Sequence, residues 1–249
     1  MKAVLLADGY VGFEITQWML KNYQTDILAV CVTSENEIAR IVKRNNIPLF
    51  ITKNNEELSV ILKEHQNVYI GLSLWWPFLL SPEVINYIPL GIVNTHPGLL
   101  PFGRGKHPNF WSIVEKTPFG VTLHLINKGI DSGPVLLQKE IKVSWDDTGE
   151  SLYKKATHEI INLFIDNYHL IRVGQIRTTE QNILNGTFHV SSEILEKSHL
   201  DLSEPMKVSD LLNLLRAKTC QGHSGCWFVD DGVKYEVSVL IRRIDCDGK

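Results

Sequence analysis

DILAVCVTSENEIARIVKRNNIPLFIT, residues 26–52, sets the fold class. Its first part, DILAVCVTS (26–34), is a β-branched and apolar run of strand length. ENEIARIVKRNN then reads as a helix, and IPLFIT (47–52) as a second buried strand. Strands without polar alternation are covered on both faces, which a parallel sheet with crossover helices requires. The same rhythm continues outward in both directions. KAVLLA (2–7) precedes GFEITQWMLKNY (12–23), whose Ile15, Trp18, Met19 and Leu20 share one side of a helix. Downstream stand the helical NEELSVILKEHQ, the strand NVYIGLSL (67–74), the short helical SPEVINYI and the strand GIVNT (91–95). The pattern predicts an α/β fold with a Rossmann-like, doubly wound, mainly parallel sheet.

The first turn, ADGYVG (7–12), carries only Gly9 and Gly12 where a dinucleotide site needs three spaced glycines. A tight dinucleotide site is therefore disfavoured, and a tight turn explains the two glycines equally well. After residue 116 the pattern changes. Residues 119–127 and 134–143 read as extended segments, and 148–174 as one long helix capped by Thr148. Beyond lie a polar stretch, a helix over 207–218, and an alternating pair around Asp231-Gly232, a hairpin-turn dipeptide. The expected organisation is a main domain over 1–172 and a C-terminal extension over 173–249, a small α+β appendage with a helix and a β-hairpin.

With 249 residues, 44% apolar and 21% charged, and a formal charge of -3, the chain has no broad electrostatic grip on nucleic acid or anionic lipid. GLSLWWPFLL (71–80) is too short to span a bilayer and contains Pro77. The N-terminal run ends at once in Asp8 and reads as a strand, not a signal peptide, so a cytoplasmic location with reduced thiols is expected. Cys220, His223 and Cys226 share one loop but lack the C-x-x-C pairs of a structural zinc site. With Cys31 and Cys246 they read as unligated side chains, and no metal is expected.

Ligands of open α/β sheets bind beyond the carboxyl ends of the strands. GIVNTHPGLLPFGRGKHPNFW (91–111) places Asn94 and His96 at such an end, ahead of a loop rich in Gly and Pro. GIDSGPV puts Asp131 in a Gly-flanked turn, and a carboxylate beside an imidazole is the usual means of orienting a base. Spacing alone does not bring Asp131 to His96.

NTHPGLLPFGRGKHPNFW, followed by GVTLHLINKGIDSGPVLLQKEI, resembles the formyltransferase family that uses N10-formyltetrahydrofolate. The shared pattern is N-x-H-P-[SG]-L-L-P, an RG-x-x-P loop and a G-[VT]-T-x-H…G-x-D-x-G segment; the resemblance covers residues 1–172. It implies that Asn94, His96 and Asp131 converge as a catalytic triad. Asn94 would donate its amide N–H to the developing oxyanion, His96 would take the proton of the attacking amine, and Asp131 would orient His96. It also implies that Trp76, Phe78, Leu79 and Leu80 wall the pterin ring, with Gly129 and Asp131 beside the cofactor.

Which amine is formylated depends on the remainder. From Gln175 onward nine Lys+Arg stand against eleven Asp+Glu, unlike a basic tRNA clamp. Glycinamide ribonucleotide formyltransferases usually end soon after the long helix, and formyltetrahydrofolate hydrolases carry an extra domain ahead of the core. LLRAKTCQGHSGCWFVDDGVKYEV (214–237) is similar to the C-terminal extension of the sugar N-formyltransferase branch, which acts on nucleotide-linked amino-dideoxy sugars. It departs at TCQGHS, where other members show aromatics and prolines. The resemblance implies a dTDP- or UDP-linked 4-amino-4,6-dideoxy sugar as acceptor, no nucleic-acid or membrane partner, and leaves a homodimer open. Tyr10, Arg104, Lys106, Arg216, Trp227 and Phe228 are the expected acceptor contacts: a flexible turn for Gly103-Arg104-Gly105-Lys106, stacking for the aromatics, phosphate pairing for Arg216. Formylation of methionyl-tRNA or glycinamide ribonucleotide, hydrolysis of the donor, and a non-enzymatic folate or nucleotide-sugar binding module stay as alternatives.

Overall fold

The apolar runs and amphipathic segments of the first half fold into alternating strands and helices. In the computed structural model, which describes residues 2–65 and 67–244, they are β1 (Ala3–Ala7), α1 (Gly9–Asn22), β2 (Ile27–Val32), α2 (Glu37–Arg44), β3 (Leu49–Ile51), α3 (Asn55–Glu64), β4 (Ile70–Leu74), α4 (Pro82–Tyr87) and β5 (Ile92–His96). Every residue of β1 and β4 is buried, as expected of strands covered on both faces. Asp8, Asn36, Asn54 and Ser81 each accept a hydrogen bond from a backbone N–H at the start of α1, α2, α3 and α4. These caps satisfy donors that a helix start leaves without partners. The cap at Asp8 also starts α1 three residues earlier than the apolar spacing indicated.

Then follow β6 (Arg104–Gly105), α5 (Pro108–Glu115), β7 (Gly120–Leu125), β8 (Val135–Glu140) and α6 (Gly149–Ile171). Thr148 accepts from the Ser151 N–H at the head of α6, as its sequence position suggested. The central sheet has seven strands in the order β3-β2-β1-β4-β5-β7-β8. Its first five strands pair in parallel, and β7 runs antiparallel to β5. This is the Rossmann-like, mainly parallel architecture expected. Gly12 serves packing: a Cβ there would lie 2.9 Å from the Leu74 carbonyl oxygen and 3.2 Å from the Ala7 carbonyl carbon. Only glycine lets α1 sit this close to the strands.

The C-terminal part contains β9 (Phe188–His189), α7 (Glu193–Lys197), α8 (Val208–Lys218), β10 (Cys226–Asp230) and β11 (Val233–Val237). β10 and β11 form the antiparallel hairpin, and Asp231 and Gly232 turn it with φ of 46° and 76°. Two consecutive left-handed residues match the right-handed twist of the flanking strands. The chain divides into two compact units that are not separated by one cut. The first comprises the described residues up to His96, Val121–Lys139 and Thr157–Gln181. The second comprises Pro97–Gly120, Glu140–Ala156 and the described residues from Asn182 onward. Among the described residues no helix is long and apolar enough to cross a membrane.

Candidate active site

Three strands of the first unit carry a row of side chains in register. Ser73 on β4 pairs with Asn94 on β5, and Asn94 pairs with His124 on β7. Directly opposed residues on one face of a sheet are near enough to bond. Here they do: Ser73 Oγ donates to Asn94 Oδ1 at 2.8 Å, and Asn94 Nδ2 lies 3.1 Å from His124 Nε2. On its other side His124 places Nδ1 2.9 Å from the Leu125 carbonyl oxygen. A carbonyl only accepts, so Nδ1 holds the hydrogen and Nε2 receives one from Asn94. The carboxamide is thereby fixed: its oxygen answers Ser73 and one N–H answers His124. Its second N–H is left by these two bonds, on a half-buried side chain at the carboxyl end of β5.

Two residues further along the same face of β5 stands His96, 4% exposed. Its Nδ1 lies 3.5 Å from Asp131 Oδ2, and His124 Nε2 lies 3.6 Å from Asp131 Oδ1. Asp131 therefore sits between two imidazole rings, with one carboxylate oxygen toward each. The side chain of Asp131 is 16% exposed, so solvent reaches it only in part. One donor amide, one imidazole and one carboxylate thus gather in the first unit at the end of β5. Such a set can polarise a carbonyl-type oxygen while taking a proton from an incoming nucleophile.

The segment that follows β4 divides into inward and outward residues. Trp76 and Leu80 pack against the core cluster that includes Leu58, Ile61, Leu62 and Val84. Phe78 and Leu79 are 39% and 71% exposed, and Phe78 meets Trp76 edge-on at 5.8 Å between centroids. Asn55 holds the end of this segment, donating to the Leu79 carbonyl and accepting from the Ser81 N–H. The exposed pair forms an apolar surface held by a rigid backbone. Tyr10 is 57% exposed in the first turn of α1. Gly129 is exposed in the turn before Asp131, its N–H donating to Asn127 Oδ1.

In the second unit several sequence expectations change. Gly103 to Lys106 is no flexible turn: β6 pairs in parallel with β9, and the Arg104 and Lys106 N–H groups donate to the Thr187 and His189 carbonyls. The Arg104 guanidinium lies over the Phe188 ring, whereas Lys106 is exposed. Arg216 is 6% exposed and internally committed, donating to Asn213 Oδ1 and to the Ser144 and Asp147 carbonyls. That corrects its reading as a phosphate ligand: its hydrogen bonds fasten α8 to the loop ahead of α6. Trp227 is half-buried, with Lys234 over its ring and His199 against it. Phe228 stacks on its cross-strand partner Tyr235. Cys226 is buried and burial pushes its thiol up to about 11; Cys220 is half-buried. Cys246 lies outside the described residues.

Sequence reasoning missed Ser73 and His124 as neighbours of Asn94. His124 stands in the quoted T-x-H motif, so its signal was present. Ser73 shows only as the lone hydroxyl in the buried strand IGLSL.

Residues 19–167 match the formyl transferase family model, and residues 193–243 match the N-formyltransferase dimerization C-terminal domain. The dTDP-4-amino-4,6-dideoxyglucose formyltransferases of Mycobacterium tuberculosis and Mycobacterium bovis are 34% identical over 152 residues, 60% of this chain and 64% of theirs. The chain thus spans 64% of the length of these curated relatives. A sugar N-formyltransferase from a Shewanella species shares the fold with a TM-score of 0.81 at 21% identity, covering 98% of this chain and 99% of that one. The N-formyltransferase of Helicobacter canadensis, solved with folinic acid and dTDP-3-aminofucose, gives a TM-score of 0.67 at 19% identity, covering 87% and 80%. The family model covers more than half of the chain and includes the row of β4, β5 and β7 and the Asp131 turn, so the chain belongs to the formyl transferase family.

Proposed function

We propose that this chain is an enzyme that transfers a formyl group from N10-formyltetrahydrofolate to the amine of a nucleotide-linked amino-dideoxy sugar, a dTDP- or UDP-linked 4-amino-4,6-dideoxy sugar. The observation that carries the reading is the state of Asn94: two of its three polar positions are engaged by Ser73 and His124, leaving one N–H, two residues along β5 from the His96 that faces Asp131. An amine attacks as the free base, so a proton must leave as the new C–N bond forms. His96 receives that proton, Asp131 balances the resulting charge, and Asn94 donates to the formyl oxygen as it gains charge. Catalysis resides in these three groups because each interacts more strongly as charge develops than before it.

The exposed apolar pair Phe78 and Leu79, backed by Trp76 and Leu80, suits a flat heterocycle at the end of β4. The folate supplies the activated formyl carbon when bound. Gly129 and Asp131 lie on the turn that would border it. Tyr10 and Lys106 are exposed and remain the acceptor contacts proposed, with the Trp227 and Phe228 hairpin a weaker choice because each ring already has a partner. The name of the mycobacterial relatives and the sugar nucleotide in the Helicobacter structure support the choice of acceptor. The match over 193–243 supports a homodimer. The reaction belongs to the assembly of glycan precursors in the cytoplasm.

Incubation with N10-formyltetrahydrofolate and a panel of amino-sugar nucleotides, read by mass spectrometry, tests this. The expected product is one formamide on the sugar nitrogen. Formylation of initiator methionyl-tRNA or glycinamide ribonucleotide with every sugar nucleotide untouched would overturn it.

A further inference from the structure

Asp131 has φ of 47°, a left-handed conformation that an aspartate adopts at a cost and keeps only where its surroundings impose it. Asn127 Oδ1 ties the turn locally, accepting from the Gly129 N–H and from Ser132 Oγ, and a further restraint comes from 50 residues downstream. Gln181 Nε2 donates to the Asp131 carbonyl at 3.0 Å and to the Gly133 carbonyl at 2.6 Å. Both hydrogens of one amide are thus spent on the carbonyls that flank the turn. The approach of Gln181 is fixed in turn by an isolated bridge two residues before it: Thr179 and Val135 exchange a pair of backbone hydrogen bonds, each 2.8 Å, where β8 begins. All of these residues lie within the first unit. Gln181 Oε1 is buried and has no hydrogen-bond partner among the described residues, so the hydrogen bonds of this side chain are the two that Nε2 donates.

We propose that Gln181 is a positioning residue that clamps the Asp131 turn and so sets the carboxylate against His96 and His124. The inference rests on the reading of the site as a formyl-transfer centre. Gln181 touches neither reacting group; it acts through the backbone on either side of Asp131. Displacing a catalytic group by about 1 Å can lower turnover on the order of 100-fold, and loss of this clamp frees the turn to do so.

Two isosteric variants separate clamping from packing. Gln181→Met keeps the volume and loses both donors. Gln181→Glu keeps the shape but turns a carboxylate oxygen toward two carbonyl oxygens. With the melting temperature used to confirm folding, kcat should fall about tenfold in Gln181→Met and further in Gln181→Glu, with the acceptor KM changed less than about twofold. Hydrogen exchange should accelerate in the peptide spanning 127–135 and not in the strands of the sheet. Packing alone predicts equal tolerance of both variants, so the ordering Gln, Met, Glu is the signature. Unchanged exchange over 127–135 in both variants, or turnover in Gln181→Glu equal to wild type, would overturn the clamp. If wild type formylates no amine while the exchange of 127–135 still accelerates in the variants, the assigned activity falls and the clamp stands.

Discussion

Replacing Asn94 with Asp tests the site at its narrowest point. The variant keeps the shape of the side chain and the bond that Ser73 donates to Oδ1, 2.8 Å in the native protein. It replaces the amide nitrogen with an oxygen, 3.1 Å from a His124 nitrogen that receives a hydrogen in the native state. Because Ser73 and His124 occupy two of the three polar positions, one N–H remains for the reacting oxygen. Loss of one such donor costs on the order of 10²–10³ in kcat, about 2.7–4 kcal/mol of transition-state stabilisation. A carboxylate facing the oxyanion adds repulsion, so Asn94→Asp should fall at or below the level of Asn94→Ala. Ser73→Ala supplies an internal scale. It removes one neutral hydrogen bond, about 1 kcal/mol, while His124 continues to favour the native amide orientation, so turnover should fall about fivefold. The assay is release of tetrahydrofolate with a saturating amino-sugar nucleotide, alongside thermal melting of each variant. Should Asn94→Asp retain more than about a tenth of wild-type kcat while folded, the oxyanion role assigned to Asn94 is wrong.

His96→Ala should lower kcat by about 10²–10⁴ and leave the acceptor KM nearly unchanged, since a base acts on the transition state; initial-rate kinetics at saturating donor would show it. Burial raises the Asp147 carboxyl, but hydrogen bonds from Lys155, Ser151 and Ser144 outweigh burial and hold it down at about 2. A depressed folded-state value means the carboxylate stabilises the protein above its unfolded pKa of 3.8 and ceases to do so as pH falls through about 2. Asp147→Asn should therefore melt about 2–4 °C lower than wild type at pH 6, and the gap should close between pH 4 and pH 2; a gap that persists at pH 2 contradicts the assignment.

The alternation of strands and helices was legible because nearly every element of the first half runs over five or more residues, and the three-residue β3 lies within the six-residue apolar run IPLFIT. Asn94, His96 and Asp131 were legible as a motif, and the structure shows why spacing alone could not join them. Asp131 reaches His96 through a left-handed turn held from residue 181, a contact with no local trace. β6 and β9 are two residues each, too short for any alternation, so the loop at Arg104 read as loose when it is paired. Arg216 shows the opposite failure. A buried, internally bonded arginine and a solvent-facing one are the same letter on a helix, and only the partners at Ser144 and Asp147 decide between them.

The interleaving of the two units along the chain limits how the second could be moved between relatives. A chimera cut once near residue 172 would deliver a foreign β9 without the β6 it pairs with. It would also bring an α8 whose arginine must find carbonyl oxygens at 144 and 147 in a host that never evolved beside it. A graft that respects the packing takes 97–120, 140–156 and the chain from 182 onward together, in three pieces.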